Sequence, residues 1–119
     1  MVESSKEKFT GLNLKEISSK ISSFTNSEKT IRVWSKESEP SLAFIRFYEG
    51  CKIHLDISTS MTEFEIDTKV FINFAFNSVD YFAKGIVLNN SEGLVILDLE
   101  DDVFKSEKRQ NEIIEILSS

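Results

Sequence analysis

Few side chains in this sequence are of the types that carry out catalysis. The sequence contains one histidine, His54, and one cysteine, Cys51. In the segment CKIHLDIS they fall on opposite sides of an alternating pattern, with His54 on the polar side and Cys51 on the apolar side. We therefore expect an exposed histidine and a buried, unreactive thiol, with no catalytic triad around them.

An acidic run near the end of the chain is the best candidate for a cation site. Its members are Asp98, Glu100, Asp101 and Asp102. The run lacks the central glycine and the ligand spacing of a calcium loop. A solvated strand end that also favours the start of a helix is the preferred interpretation. The glycines at 11, 50, 85 and 93 are too far apart for a phosphate-binding loop, so we predict neither catalytic nor metal-binding residues.

The segment FKSEKRQNE places Lys105, Lys108 and Arg109 close together in a chain of net charge -6. Such a basic group is able to hold a phosphate, and Arg offers it a planar fork of donors. The simpler alternative is that these cations neutralise the acidic run or pair with Glu107 and Glu112, each pair contributing less than about 1 kcal/mol.

Several aromatic residues lie off the main apolar positions of their segments, and they suggest a binding surface. They are Trp34, Phe44, Tyr48, Phe71 and Phe82. Trp34, Tyr48 and Phe82 are the candidates for contact with a protein partner. A small barrel that stacks single-stranded nucleic acid is an alternative, although few Lys and Arg alternate with the rings. The simpler alternative is that these rings pack on a second face of the sheet, beneath the helix or the tail.

The elements that must position these residues follow from hydrophobic periodicity. Asn13 and Glu16 have the spacing of a capping box, and apolar residues then recur at helical spacing, which predicts a helix over 13–24. Six alternating segments follow, and turn-forming residues separate them. They are TIRVWS, SLAFIRFY, CKIHLDIS, KVFINFAF, YFAKGIVL and GLVILDL. Their tight connections predict an antiparallel meander that closes into a small barrel, with the helix over one opening.

The predicted organisation is a flexible lead-in at 1–11, one barrel domain at 12–104, and a basic junction and tail at 105–119. The tail segment VFKSEKRQNEIIEILSS contains no Gly or Pro, and we favour a helix for it, with a strand as the alternative.

Composition restricts the partners and the compartment. An acidic chain with pI near 4.8 is poorly suited to duplex nucleic acid, because it has no basic excess to displace counterions. No apolar run approaches the roughly 20 residues that span a bilayer, so no membrane insertion is expected. One cysteine and no leader-like segment favour a reducing, cytoplasmic location.

Three segments carry a family resemblance, namely TIRVWSKE, YFAKGIVL and VFKSEKRQNE. Together they resemble the N-terminal companion domain of PilZ-type cyclic-di-GMP effectors, such as the bacterial flagellar-brake proteins, over roughly residues 12–112. YFAKG is similar to the F-x-G strand of that family, and FKSEKRQNE is similar to its junction with the PilZ domain. The resemblance implies a mainly β fold, a six-stranded antiparallel split β-barrel with an N-terminal helix.

In that family the junction carries an R-x-x-x-R arm that grips cyclic di-GMP. Lys108 and Arg109 match its leading basic pair, but the second arginine falls at Ile113, and using Lys105 with Arg109 keeps the spacing with only one guanidinium. The resemblance therefore implies a degenerate arm.

A rival alignment treats the whole chain as a degenerate PilZ domain. IRVWSK then stands for the arm, through Arg32 and Lys36, and DISTSM stands for the D-x-S-x-x-G motif, through Asp56 and Ser58. Met61 replaces the glycine of that motif. This alternative implies that cyclic di-GMP is still bound.

The resemblance implies a role in cyclic-di-GMP signalling or motility control. We expect an adaptor that contacts a protein of the signalling or motility machinery, without catalysis and without a cofactor, and with cyclic di-GMP as a possible ligand.

Overall fold

The computed structural model describes residues 9–57 and 63–106. The predicted helix is present as α1 (Leu14–Ser22), and its capping box is formed. The Asn13 side chain accepts the Glu16 N–H at 3.1 Å, and the Glu16 carboxylate accepts the Asn13 N–H at 3.0 Å. These two bonds satisfy backbone donors that a helix start leaves unpaired, so the helix begins where the sequence predicts.

All six predicted segments form strands, and two further strands flank them. The strands are β1 (Phe9–Asn13), β2 (Ile31–Trp34), β3 (Ser41–Glu49), β4 (Lys52–Asp56), β5 (Lys69–Phe76), β6 (Val79–Ser91), β7 (Leu94–Leu99) and β8 (Asp102–Ser106). All of their pairings are antiparallel. The strand order β6-β5-β2-β3-β4-β7 returns to β6, which closes a six-stranded barrel and confirms the predicted antiparallel barrel. The predicted meander is wrong, because β4 pairs with β7 and β5 pairs with β2, so the consecutive strands β4 and β5 are not neighbours.

Strand β6 holds the structure together because it pairs with three neighbours. It pairs with β5 along most of its length, with β8 near its start and with β7 from Gly85 onward. Gly85 lies where the backbones come closest, since a Cβ at this position would sit 2.7 Å from the Asp98 carbonyl oxygen. Only glycine allows the strands to approach this closely.

Aliphatic side chains fill the barrel, and each opening is covered. Ile17 and Ile21 of α1 are fully buried in the common core at the end where β3, β5 and β7 finish. At the other end Phe64 is buried, and its carbonyl oxygen accepts a hydrogen bond from the Asn90 side-chain amide. In the described part of the chain, the interior of the barrel is therefore packed with side chains.

Strands β1 and β8 correct the sequence interpretation at both ends of the chain. Phe9–Asn13 form a strand, although residues 9–11 were assigned to the flexible lead-in. Val103–Ser106 belong to a strand, although a helix was favoured for the segment that they begin. The two strands pair with each other, and such a long-range partner leaves no trace in local periodicity.

The rest of the predicted tail, with Lys108, Arg109 and Ile113, lies outside the described residues, as does Ser58.

Candidate interaction surface

Four aromatic residues form a continuous row on the outside of the barrel, which we call the outer aromatic strip. They are Trp34 on β2, Phe71 on β5, Phe82 on β6 and Phe104 on β8. Their neighbours along the strands, among them Val33, Ile72, Ala83 and Val103, are buried in the core. Because side chains alternate across a strand, the four rings point away from the core.

Strand register brings the rings of the strip together. Trp34 lies directly opposite Phe71, and their rings stack with centroids 5.8 Å apart and planes 24° from parallel. Phe82 lies directly opposite Phe104. Phe71, Phe82 and Phe104 line a shallow groove of about 130 Å³, in which Lys84 also takes part. The strip is therefore one surface across four strands.

The strip reaches the edge of the sheet at β1. Phe104 lies opposite Gly11, and its side chain is 42% exposed. A Cβ at Gly11 would meet no atom within 4 Å, so the space beside Phe104 is open. Sequence reasoning missed Phe104 because this residue begins the segment FKSEKRQNE, which was selected for its basic residues and not for its ring. The alternation of buried Val103 with exposed Phe104 was the available signal.

Lysines next to the strip have carboxylate partners. Lys69 Nζ lies 3.3 Å and Lys84 Nζ 3.7 Å from the two carboxylate oxygens of Glu100. A second groove, of about 310 Å³, adjoins Phe71. It is lined by Ser35, Lys36, Glu37, Thr68, Lys69 and Phe71. Glu37 and Glu100 reduce the positive potential of this groove, which weakens its attraction for a phosphate.

Four of the candidate cyclic-di-GMP residues lie in the described part of the chain, namely Arg32, Lys36, Asp56 and Lys105, and they lie on separate elements. Arg32 is exposed on β2, whereas Lys36 lies beyond the end of that strand. Lys105 lies on β8, opposite Tyr81 of β6. In the order of the sheet, β8 is three strands from β2, which separates the two strands by about 14 Å. The Asp56 carboxylate accepts the Nη2 of Arg46 at 3.0 Å. The grooves beside Phe47, Phe71 and Phe104 contain at most one of these four residues, namely Lys36 beside Phe71.

The aromatic candidates Tyr48 and Phe44 contact other side chains of this chain. The Tyr48 hydroxyl lies 3.0 Å from the Ser18 hydroxyl of α1, so Tyr48 lies at the helix, as the simpler alternative expected for such rings. The Arg46 guanidinium lies 5.1 Å from the centre of the Phe44 ring. Trp34 and Phe82 are therefore the two partner candidates that lie on the strip.

Cys51 differs from the prediction because it is exposed. It follows Gly50, whose φ of +65° forms the turn before β4, so the alternating pattern does not extend to position 51. The thiol donates to the Asp98 carboxylate at 2.9 Å. This hydrogen bond, followed by partial burial and the negative charge of Asp98, raises the thiol pKa above its ordinary value. His54 is half-buried and edge-on to Phe47, with ring centres 5.1 Å apart.

The acidic run is divided among separate contacts. Asp98 accepts from Cys51, Glu100 holds two lysines, and Asp101 accepts the Leu14 N–H at 3.0 Å. Asp101 thus stabilises the start of α1, a helix far from it in sequence. Among the described residues, no group of three or more His, Cys, Asp or Glu side chains is arranged to hold a metal ion.

Fold and surface together define a helix-covered six-stranded β-barrel with an aromatic strip on its outer face. No protein-family model, no curated protein and no solved structure matches the chain. Within residues 9–57 and 63–106, no helix has the length and apolar character required to cross a membrane.

Proposed function

We propose that this chain is a non-catalytic regulatory domain that binds a protein partner through the outer aromatic strip. The observation that carries the proposal is the stacked Trp34–Phe71 pair, which continues into Phe82 and Phe104 on the outside of a barrel whose interior is already filled. Aromatic side chains supply a large contact area at a low cost in conformational entropy, and they dominate binding energies at protein interfaces.

The surroundings of the strip favour a protein over a nucleic acid. Lys69 and Lys84, which lie next to the strip, are both paired with Glu100, and the chain as a whole is acidic. A single-stranded nucleic acid would require cations along the rings to follow its backbone. A protein surface with apolar residues and a polar rim does not have this requirement.

The cellular setting of the proposal comes from the family resemblance. PilZ-associated barrels belong to bacterial cyclic-di-GMP signalling and motility control, and we place this chain in the same cytoplasmic setting. Its contribution would be that of an adaptor in contact with the signalling or motility machinery.

Site-specific photo-crosslinking in cells of the source organism tests this proposal. A photoreactive amino acid at Arg32, which is exposed beside Trp34, should capture one protein. The combined changes Trp34→Ala and Phe71→Ala should remove at least nine-tenths of that product, because they delete the stacked pair, whereas Phe47→Ala on another face should leave it unchanged. A product that survives the double change at full yield would contradict the proposal.

Cyclic-di-GMP binding is the second candidate, and one observation favours it. Lys36 and Lys69 border the groove beside Phe71, where a nucleotide would find both cations and an aromatic ring. A ligand that binds only the native state must raise the thermal midpoint. Under the adaptor proposal, saturating cyclic di-GMP leaves the midpoint unchanged. A rise that Lys36→Ala removes would support the nucleotide receptor instead.

A further inference from the structure

Strand β1 forms an edge of the sheet. Among the described residues its only partner strand is β8. Natural proteins protect such edges with charged residues, proline or a bulge. The five residues of β1, FTGLN, contain neither a charge nor a proline, and their register with β8 is continuous. This edge retains the backbone donors and acceptors that another strand requires.

At the middle of this edge an aromatic ring lies beside an open space. Gly11 has open space where a Cβ would lie, and the half-exposed Phe104 is its direct neighbour on β8. In a sheet, an aromatic ring covers a cross-strand glycine by lying over it. A strand added to β1 would cover the Phe104 ring, which would then lie between Gly11 and the side chains of the added strand.

We propose that a second copy of this chain pairs with β1, antiparallel, with Gly11 of one copy opposite Gly11 of the other. In this register two glycines lie side by side, and a Phe104 ring flanks them from each copy. The rings then cover the gap that the glycines leave. The two sheets become one, and the two outer aromatic strips meet. This inference goes beyond the proposed function and does not depend on it.

Charge favours the antiparallel arrangement of two copies. Asp102 lies opposite Asn13, at one end of β1. Antiparallel pairing places the Asp102 carboxylates of the two copies at opposite ends of the interface, whereas in-register parallel pairing would place them in the same row. Antiparallel pairing therefore keeps the two carboxylates apart, and like charges do not meet in the interface.

The dimer should be weak and should depend on protein concentration. Five residue pairs and two aromatic rings form an interface well below the roughly 1,200 Å² of stable complexes. Sedimentation velocity of the full chain, from micromolar to millimolar concentration, should therefore show a monomer that shifts toward a dimer.

Gly11→Lys tests the interface without disturbing the monomer, because the added side chain enters open space. In the dimer it places two ammonium groups directly opposite each other, so the dissociation constant should rise at least tenfold. Ile66→Lys, which makes the same charge change at an exposed position near the other barrel opening, is the matched control and should leave dimerisation unchanged.

Disulfide crosslinking tests the register. In a Cys51→Ser background, Gly11→Cys places the two introduced thiols in directly opposite positions, within the Cα range that a disulfide spans. Thr10→Cys alone should crosslink poorly, since its partner position is Leu12. A mixture of Thr10→Cys and Leu12→Cys chains should crosslink well.

A chain that stays monomeric at millimolar concentration would overturn the inference, and so would a dimer that Gly11→Lys leaves intact. Equal crosslinking at Gly11 and Thr10 would also overturn it. None of these results bears on the proposed partner contact at Trp34 and Phe71, which the photo-crosslinking experiment tests. The two proposals can therefore fail independently.

Discussion

Aromatic residues lie on two outer faces of the barrel, and their neighbours differ. On the β3–β4 face the Arg46 guanidinium lies over Phe44 and is held there by two hydrogen bonds to Asp56, at 3.2 and 3.0 Å. On the outer aromatic strip, Trp34 stacks on Phe71, and Phe104 stands beside the open space at Gly11. On the first face a paired cation lies over a ring, whereas on the second a ring stacks on another ring, and this second face is the one that we propose for the partner.

The exposed fraction of an aromatic side chain does not by itself distinguish the two faces. Phe47, on the β3–β4 face, is 47% exposed, slightly more than Phe104 at 42%. Phe47 nevertheless packs edge-on against His54 within its own face. What distinguishes the strip is continuity, because register places Trp34 opposite Phe71 and Phe82 opposite Phe104, and Phe71 and Phe82 line one groove.

Gly85→Ala should have the largest effect, because at this residue β6 is paired with both β5 and β7. The new methyl group would lie 2.7 Å from the Asp98 carbonyl oxygen, a backbone atom that moves only with its strand. We expect the free energy of unfolding to fall by about 1 to 3 kcal/mol in urea denaturation. Gly11→Ala, which enters open space, is the control and should change it by less than about 0.5 kcal/mol. Equal effects would show that the strands do not approach closely at Gly85.

Arg46→Ala should have a smaller effect, confined to the β3–β4 face. It removes the ion pair with Asp56 and the cation over Phe44, both partly exposed, so unfolding should become easier by no more than about 1 kcal/mol. Half of the effect or more should disappear at high salt, because salt screens exposed charges. Partner crosslinking from Arg32 should be unchanged. Its loss would mean that the partner also uses the β3–β4 face.

The smallest effect should appear at Cys51, as a change in thiol reactivity with little change in stability. Because the hydrogen bond to Asp98 raises the thiol pKa, alkylation by iodoacetamide should reach half of its maximal rate at a higher pH than for an unperturbed cysteine. Asp98→Asn removes the negative charge and should lower that midpoint. An unchanged midpoint would show that the contact with Asp98 does not form in solution.

Local pattern was sufficient for the barrel and the helix. The six barrel strands alternate apolar and polar residues between clear turns, and the capping box at Asn13 and Glu16 identifies the start of α1. Strand β1 escaped prediction because it has only five residues, includes Gly11, and pairs with residues 89 to 97 positions away. Such pairing depends on tertiary contacts that no short window contains.

The outer aromatic strip, our proposed interaction surface, was predicted only in part. Trp34 and Phe82 were selected because they break the apolar pattern of their strands, and both lie on the strip. Tyr48 shows the same pattern but lies beside Ser18 of α1, a contact that depends on where the helix packs. Cys51 was misplaced because alternation was extended through the turn at Gly50.

The pairing of β1 with β8 also determines how the fold responds to force. Phe9 and Ser106, where the described chain enters and leaves the structure, lie opposite each other at one end of this strand pair. A force that separates these two residues breaks the hydrogen bonds between β1 and β8 one pair at a time, from Phe9 toward Asn13. The pair should therefore separate at low force, and the six-stranded barrel should remain closed until the load reaches β6.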